Sequence, residues 1–353
     1  MTKNPFDLSR DPGGSSSGAG TSISANFAIL GLGEDTGGSI RLPSSFCGLV
    51  GLRPTPGLIS RSGLCPLIKT TDTPGPMTRT VRDAALMLDV LVGFDEADPW
   101  TSTAVINGPP AGGSYASNLD TNKDLISRSR VGVVGGMLGD DSDPDCKAVK
   151  TVIEKAFKKL GESGTTFIDI EIPNMAETLT FTQTYTSRSH SDIDSYLATT
   201  KLNTTCSQIY AQKAYHPNLD LFASICTSPS TPLEDPHYLQ RLEDREAFVM
   251  TVVHLMAKNN VTALAFPTAK IPAPLHSDVE RWDPWGFPTN TLLASALRFP
   301  AISVPAGFTK EEEGGLPVGL EIVGLPGREQ MLLEMAYGVE GLIGARKAPK
   351  FEV

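Results

Sequence analysis

The chain of 353 residues lacks most features that would announce a metal site, a disulfide scaffold, a membrane span or a nucleic-acid surface. Its five cysteines, at positions 47, 65, 146, 206 and 226, are odd in number and contain no CxxC pair. Neither a zinc site nor a disulfide framework is favoured, and a reducing, cytoplasmic setting is the expectation. No apolar run is long enough to cross a bilayer, and the first fourteen residues lack the apolar core of a secretion signal. The formal net charge is −10 and no basic cluster is present, which argues against a nucleic-acid partner. Histidine is scarce. His190, His216, His237, His254 and His276 stand in no triad motif, and each reads as a structural or surface residue. Apolar content of 40% and charged content of 20% are ordinary for a globular domain.

What the chain has is glycine and serine in two tight turns. Gly13-Gly14-Ser15-Ser16-Ser17-Gly18 is the first and Gly37-Gly38-Ser39 the second. Between them the apolar run from Asn26 to Gly31 reads as a buried strand, too short for a helix. Glu34-Asp35-Thr36-Gly37-Gly38 then turns sharply. Glycines permit the positive φ and the close backbone approach that a row of convergent N–H groups requires. Such a row stabilises an oxyanion, and a serine beside it has the setting of a nucleophile in acyl transfer. A serine hydroxyl needs a base to take its proton. Gly-x-Ser-x-Gly is not matched at Ser39, and no histidine motif accompanies it, so the base is of another kind. Ser15 and Ser16 of the first turn are available as proton relays. A phosphate loop is excluded, because Ser39-Ile40 stands where Lys followed by Ser or Thr would be needed. Gly31-x-Gly33 has no glycine three residues later, so a dinucleotide fingerprint fails too.

The segment GGSSSGAG followed by GEDTGGSIRLPSSFCGLVGLRPT resembles the amidase signature family, serine hydrolases with a Ser–cis-Ser–Lys triad. The blocks TDTPGPMTRTVRDAA from Thr71, Phe266-Pro267-Thr268, Thr289-Asn290, PAISVPAGF from Pro300 and LPVGLEIVG from Leu316 resemble the same family. The resemblance covers nearly the whole chain and is weakest in the middle. It implies that Ser39 is the nucleophile and that Ser15, preceded by a cis peptide bond, relays the proton, with Ser16 supporting the relay. The N–H groups of Thr36, Gly37, Gly38 and Ser39 would form the oxyanion hole. Asp35 and Arg41 would brace the turn. The reaction implied is cleavage of a carboxamide C–N bond in a small-molecule amide, without metal or organic cofactor. The implied fold is a single α/β/α domain over residues 1–353 around a mixed, mostly parallel sheet. Self-association is left open.

One departure stands out. The lysine of the resembled triad lies upstream of the first glycine–serine turn, and Lys3, the sole lysine before Ser15, does not fit its motif. The lysine-bearing segment is therefore read as missing and catalysis as impaired. Without those elements an apolar sheet face or edge is expected to stand uncovered. Two rival readings stay open: a non-catalytic remnant of an amidase, and the glutaminase-type subunit of an amidotransferase.

Along the chain, helical spacing predicts helices over 16–25, 79–92, 145–160, 236–259, 289–297 and 328–343, with another beginning at 44–49. Strands are predicted at 131–134, 166–172, 263–266, 301–304 and 318–323. The unit 131–172 reads as a parallel strand–helix–strand crossover. Residues 98–130 read as a polar surface excursion and 174–231 as irregular. Asp72 and Asp83 read as braces or caps, Trp282 and Trp285 as packing residues near a proline-rich loop, and residues 311–313 as a solvated acidic loop.

Overall fold

A computed structural model describes residues 1–110, 112–217, 219–282, 286–310 and 315–350. Eight strands form one sheet: β1 (Gly31–Asp35), β2 (Val50–Arg53), β3 (Thr73–Thr78), β4 (Arg130–Val134), β5 (Thr166–Ile170), β6 (Ala263–Pro267), β7 (Ala301–Phe308) and β8 (Pro317–Val323). Their order across the sheet is β1-β3-β2-β7-β8-β6-β4-β5. The helices are α1 (Ser17–Ser24), α2 (Arg41–Phe46), α3 (Val81–Leu91), α4 (Ser102–Ile106), α5 (Pro144–Glu162), α6 (Met175–Phe181), α7 (Tyr185–Leu197), α8 (Cys206–Ala211), α9 (Asp220–Cys226), α10 (Tyr238–Lys258), α11 (Leu292–Leu297) and α12 (Glu329–Ile343).

Alternation along the central strands builds two cores. Ala263 and Ala265 of β6, Ile302 and Val304 of β7, and Leu320 and Ile322 of β8 face α3, α5 and α12. Leu264 and Phe266, one residue out of phase, face α10 and α11 with Ala301 and Val323. The result is a helix–sheet–helix sandwich around a mixed sheet, as the sequence implied. The crossover β4–α5–β5 is parallel, and β4 also pairs parallel with β6. The other pairings, β1–β3, β2–β3, β2–β7, β6–β8 and β7–β8, are antiparallel, so the expectation of a mostly parallel sheet is corrected. Single-residue alternation does not reveal strand direction. Local signals do set helix starts. The Thr80 hydroxyl accepts from Asp83 N–H and opens α3, and Asp143 caps α5 ahead of Pro144.

Several expectations fail for identifiable reasons. The apolar run at 26–31 is not a buried strand. Asn26 takes a left-handed φ of 63°, and Asn26 N–H and Phe27 N–H donate back to α1 carbonyls, so the run turns outward after the helix. The strand begins at Gly31. Phe27 and Ile29 are 81% and 70% exposed, and Leu30 and Leu32 are exposed too, beside a β1 edge that pairs on one side alone. An uncovered apolar edge is thus present. Residues 98–130 do not merely skirt the surface: Tyr115, Ala116, Leu119 and Ile126 are buried in the core with α3 and α12. The middle region, expected to be irregular, forms the short helices α6 to α9. Strands β2 and β3 were not anticipated. Thr73-Pro74-Gly75-Pro76-Met77-Thr78 reads as a turn by composition, yet it lies between β1 and β2.

Cys206 and Cys226 form a disulfide joining α8 to α9, with Cα atoms 5.5 Å apart. The expectation that no disulfide forms is corrected, and the ground it gave for a reducing compartment goes with it. The pairing follows from the packing of two helices that share the small core of Ile193, Leu197 and Ile225, which spacing along the chain does not disclose. Cys47 and Cys146 are free and buried, and Cys65 is free and exposed. Among the described residues no helix is long and apolar enough to cross a membrane. Trp282 packs edge-on against Phe287, as a packing residue should. Trp285 and residues 311–313 lie outside the described residues.

Candidate active site

The two glycine–serine turns meet in space. Ser16 N–H donates to the Ser39 carbonyl at 3.1 Å. The Ser16 hydroxyl ties the first turn to β1, accepting from Glu34 N–H at 3.2 Å and donating to the Glu34 carbonyl at 3.3 Å. Ser15 is exposed and Ser39 partly buried, so both are open to solvent. The peptide bond between Gly14 and Ser15 is cis. The link between the turns is therefore a backbone bond through Ser16. Among the described residues, no hydrogen bond joins the Ser15 and Ser39 hydroxyls.

The second turn is held from several sides. The Thr291 hydroxyl donates to the Gly37 carbonyl at 2.7 Å. In a trans peptide unit the N–H points opposite to the C=O, so this bond aims the Gly38 N–H away from Thr291. Gly38 has φ +139°, and a Cβ there would fall 2.0 Å from Thr291 Oγ1. A Cβ on Gly37 would fall 2.4 Å from the hydroxyl of Tyr185. Glycine is thus required at both positions by backbone conformation or by close approach. Thr291 was not singled out from the sequence. Its neighbours Thr289 and Asn290 carried a weak signal.

Behind the turn lies a buried charge network. Asp35 accepts from Arg41 Nε and Nη2, both at 3.1 Å, from Arg53 Nη1 at 2.8 Å and from Ile40 N–H at 3.2 Å. Arg41 also pairs with Glu321 of β8 and donates to the Ser295 hydroxyl at 2.8 Å. Arg53 Nη2 reaches the Thr71 carbonyl at 2.8 Å. The side chains of Asp35, Arg41, Arg53 and Glu321 are fully buried, and their two cations balance two carboxylates. Burial alone would raise the pKa of Asp35, but Arg41 and Arg53 hold it well below the usual carboxylate range. Burial pushes Glu321 up to about 7 despite Arg41. Asp35 and Arg41 thus pair with each other behind the turn. Arg53 and Glu321 were missed: the strand that holds Arg53 was not anticipated, and Glu321 inside a strand read as apolar gives no local sign of its partner.

A second carboxylate pair flanks the same turn. Thr36 Oγ1 lies 2.7 Å from Asp72 Oδ1 and 3.1 Å from Glu34 Oε1. A hydroxyl has a single proton to donate, so it satisfies both carboxyl groups when one of them is itself protonated. Asp72 also accepts from Leu67 N–H and Ile68 N–H at 2.7 and 2.8 Å, which suits the ionised partner. Glu34 takes the proton. Burial, then Asp72 and Asp35, raise its pKa from 4.5 to about 8. Burial raises Asp72 to about 6. The folded chain keeps the Glu34 proton where the unfolded chain has released it. Stability therefore falls as pH rises from about 4.5 to about 8, by at most about 1.4 kcal/mol per pH unit. Glu34→Gln is expected to flatten the upper part of that slope, between about pH 6 and 8. Urea denaturation across the pH range checks this, and an unchanged slope would rule out Glu34 as the titrating group.

The turn, its neighbours and the sandwich behind them match a known architecture. The Amidase family model matches residues 1–333. This chain belongs to the amidase family. It is 31% identical to a glutamyl-tRNA(Gln) amidotransferase subunit from Nostoc sp., over 96% of this chain and 70% of that relative. To the corresponding subunit from Synechococcus sp. it is 32% identical, over 96% of this chain but 65% of the relative. The native peptide amidase of Stenotrophomonas maltophilia superposes with a TM-score of 0.83 at 30% identity, covering 100% of this chain and 70% of that one. The corresponding amidotransferase subunit of Thermotoga maritima gives 0.77 at 26% identity, covering 99% and 72%. The chain spans about two thirds of the length of these amidase-family relatives.

Proposed function

We propose that this chain cleaves a carboxamide C–N bond through an acyl-enzyme on Ser39. The Ser39 oxygen adds to the amide carbonyl carbon as Ser39 hands its proton to Ser15 and Ser15 hands its own proton to the amide nitrogen. The developing oxyanion accepts from the N–H groups of Thr36, Gly37 and Gly38. With its nitrogen protonated, the C–N bond breaks and the amine or ammonia leaves. Water adds to the ester, and the acid departs as Ser39 regains its proton. Ser16 holds the two turns in register, and Asp35 with Arg41 fixes the second. The observation that carries this reading is the meeting of the turns, with Ser16 N–H on the Ser39 carbonyl at 3.1 Å and both serines open to solvent.

No lysine or histidine among the described residues hydrogen-bonds Ser15 or Ser39. Lys3 is exposed, and its carbonyl accepts from the Thr21 hydroxyl. A missing proton acceptor costs roughly 10²–10⁴ in rate, so turnover by this chain alone is expected to be low. The direct test is covalent capture. A fluorophosphonate is expected to modify Ser39 slowly, with the adduct mapped by peptide mass analysis, and ammonia release from a panel of primary amides is expected to be slow but above background. An adduct confined to another serine would exclude the mechanism. The likeness to amidotransferase subunits supports a second reading, in which turnover requires partner subunits. Under that reading glutamine is hydrolysed once those partners are added.

A further inference from the structure

Arg245 of α10 is a buried cation without a carboxylate in ion-pair reach among the described residues. The residue is 4% exposed. Its Nη2 donates to the Thr182 carbonyl at 2.9 Å and the Thr184 hydroxyl at 3.3 Å, and its Nε has no acceptor. The neighbouring Glu246 pairs with Arg298 instead. Arg41 and Arg53, the fully buried arginines behind the turn, are each matched with Asp35. Burying a guanidinium without an anion costs several kcal/mol, so an unmatched one calls for an explanation. Burial and the nearby Arg298 lower its pKa to about 10, which leaves it charged at neutral pH.

Arg245 does not face solid protein. It borders a cavity of about 30 Å³ whose wall also includes Thr36, Gly37, Tyr185 and Ser295. Thr36 and Gly37 belong to the turn that carries Ser39, so one small space runs between the turn and the guanidinium. Its volume corresponds to about two water molecules, which is the size of a carboxylate group. The hydroxyls of Thr36, Thr182 and Ser295 on this wall already donate to Asp72, the Thr178 carbonyl and the Thr291 carbonyl, so the guanidinium is the group that would answer an anion, and its fork is suited to a planar, charged acceptor.

We propose that this cavity is a carboxylate subsite, and that Arg245 selects amides carrying a carboxylate at the end remote from the scissile bond. The substrate class is the monoamides of dicarboxylic acids. This rests on the hydrolytic reading for the catalytic end, while the subsite itself stands on the geometry of Arg245. The carboxylate supplies the counter-charge that the fold omits, and it orients the amide against the oxyanion turn.

The test is binding to the full chain, read by calorimetry at low salt and pH 7. Succinamate and glutaramate are compared with butanamide and pentanamide, neutral amides of the same lengths. The better of the two acids is expected to bind at least about tenfold tighter than its neutral counterpart. Arg245→Gln is expected to abolish the difference and Arg245→Lys to restore part of it, with circular dichroism reporting whether each variant is folded. Equal binding of acid and neutral amides by the unmodified chain overturns the proposal, whatever the variants do. So does a preference that survives in Arg245→Gln. A carboxylate preference without hydrolysis of any amide would sink the catalytic reading and leave the subsite standing. Hydrolysis of neutral and acidic amides with equal kcat/KM would do the reverse.

Discussion

Replacing Ser39 by alanine is expected to remove the fluorophosphonate adduct entirely and to lower amide turnover by about 10²–10⁴. A complete serine relay loses roughly 10⁶ on removal of its nucleophile, and general base catalysis accounts for 10²–10⁴ of such a rate. Members of a relay act as a unit, so their losses do not add. On the proposed reading, in which no lysine or histidine serves either serine, part of the rate is already gone before Ser39 is touched. The size of the loss is therefore diagnostic. A fall near 10⁶ would show that a base does reach Ser15 and would end the view that this chain is impaired. An adduct that persists in the variant would end the assignment of Ser39. Ser15→Ala in the same assay separates relay from nucleophile: it is expected to keep the adduct, formed more slowly, while turnover falls.

Arg41→Met is expected to destabilise the fold by about 3–5 kcal/mol in urea denaturation, the range for breaking a buried ion pair by removing one partner. Arg41 answers Asp35 and Glu321, both fully buried, and also holds Ser295 of α11. Removing it leaves two carboxylates facing each other with Arg53 alone between them and the interior. Asp35 also accepts from Ile40 N–H, next to Ser39, so loss of the network should loosen the turn that carries Ser39. Fluorophosphonate capture is then expected to slow even below the unfolding transition. Arg41→Lys keeps the charge but loses the planar fork that spans Asp35 and Glu321, so it should recover a minor part of the stability. A loss under about 1 kcal/mol for the methionine variant would mean that the network is dispensable and that packing alone holds the turn.

The positions of these groups were legible to different degrees. Ser15, Ser16 and the glycines at 37 and 38 stand out in the chain because a tight glycine–serine turn is a short-range fact, whereas Asp35 and Arg41 were singled out only through the resemblance to the amidase signature family. The helices at 79–92, 145–160 and 328–343 were equally plain, since a 3.6-residue period and a capping residue are local. What could not be read was any pairing between distant segments. Arg53 and Glu321 meet Asp35 and Arg41 through strands that alternation alone would fill with apolar residues. Thr291 reaches Gly37 across the full span from α11 to β1. Cys206 and Cys226 join because α8 packs on α9. The run at 26–31 failed for the opposite reason: its residue types favour a strand, but Asn26 in a left-handed conformation redirects the backbone.

By itself, the sequence picked out Ser39, Ser15 and the glycines beside them as candidates for acyl-transfer chemistry, because backbone permissiveness and hydroxyl character are properties of residue types at fixed spacing. Tertiary structure decided which charges those residues would meet. Asp35 is ionised, Glu34 protonated and Arg245 left without an anion because of partners brought from far along the chain into a buried space, where each missing or present neighbour shifts a charge by several kcal/mol.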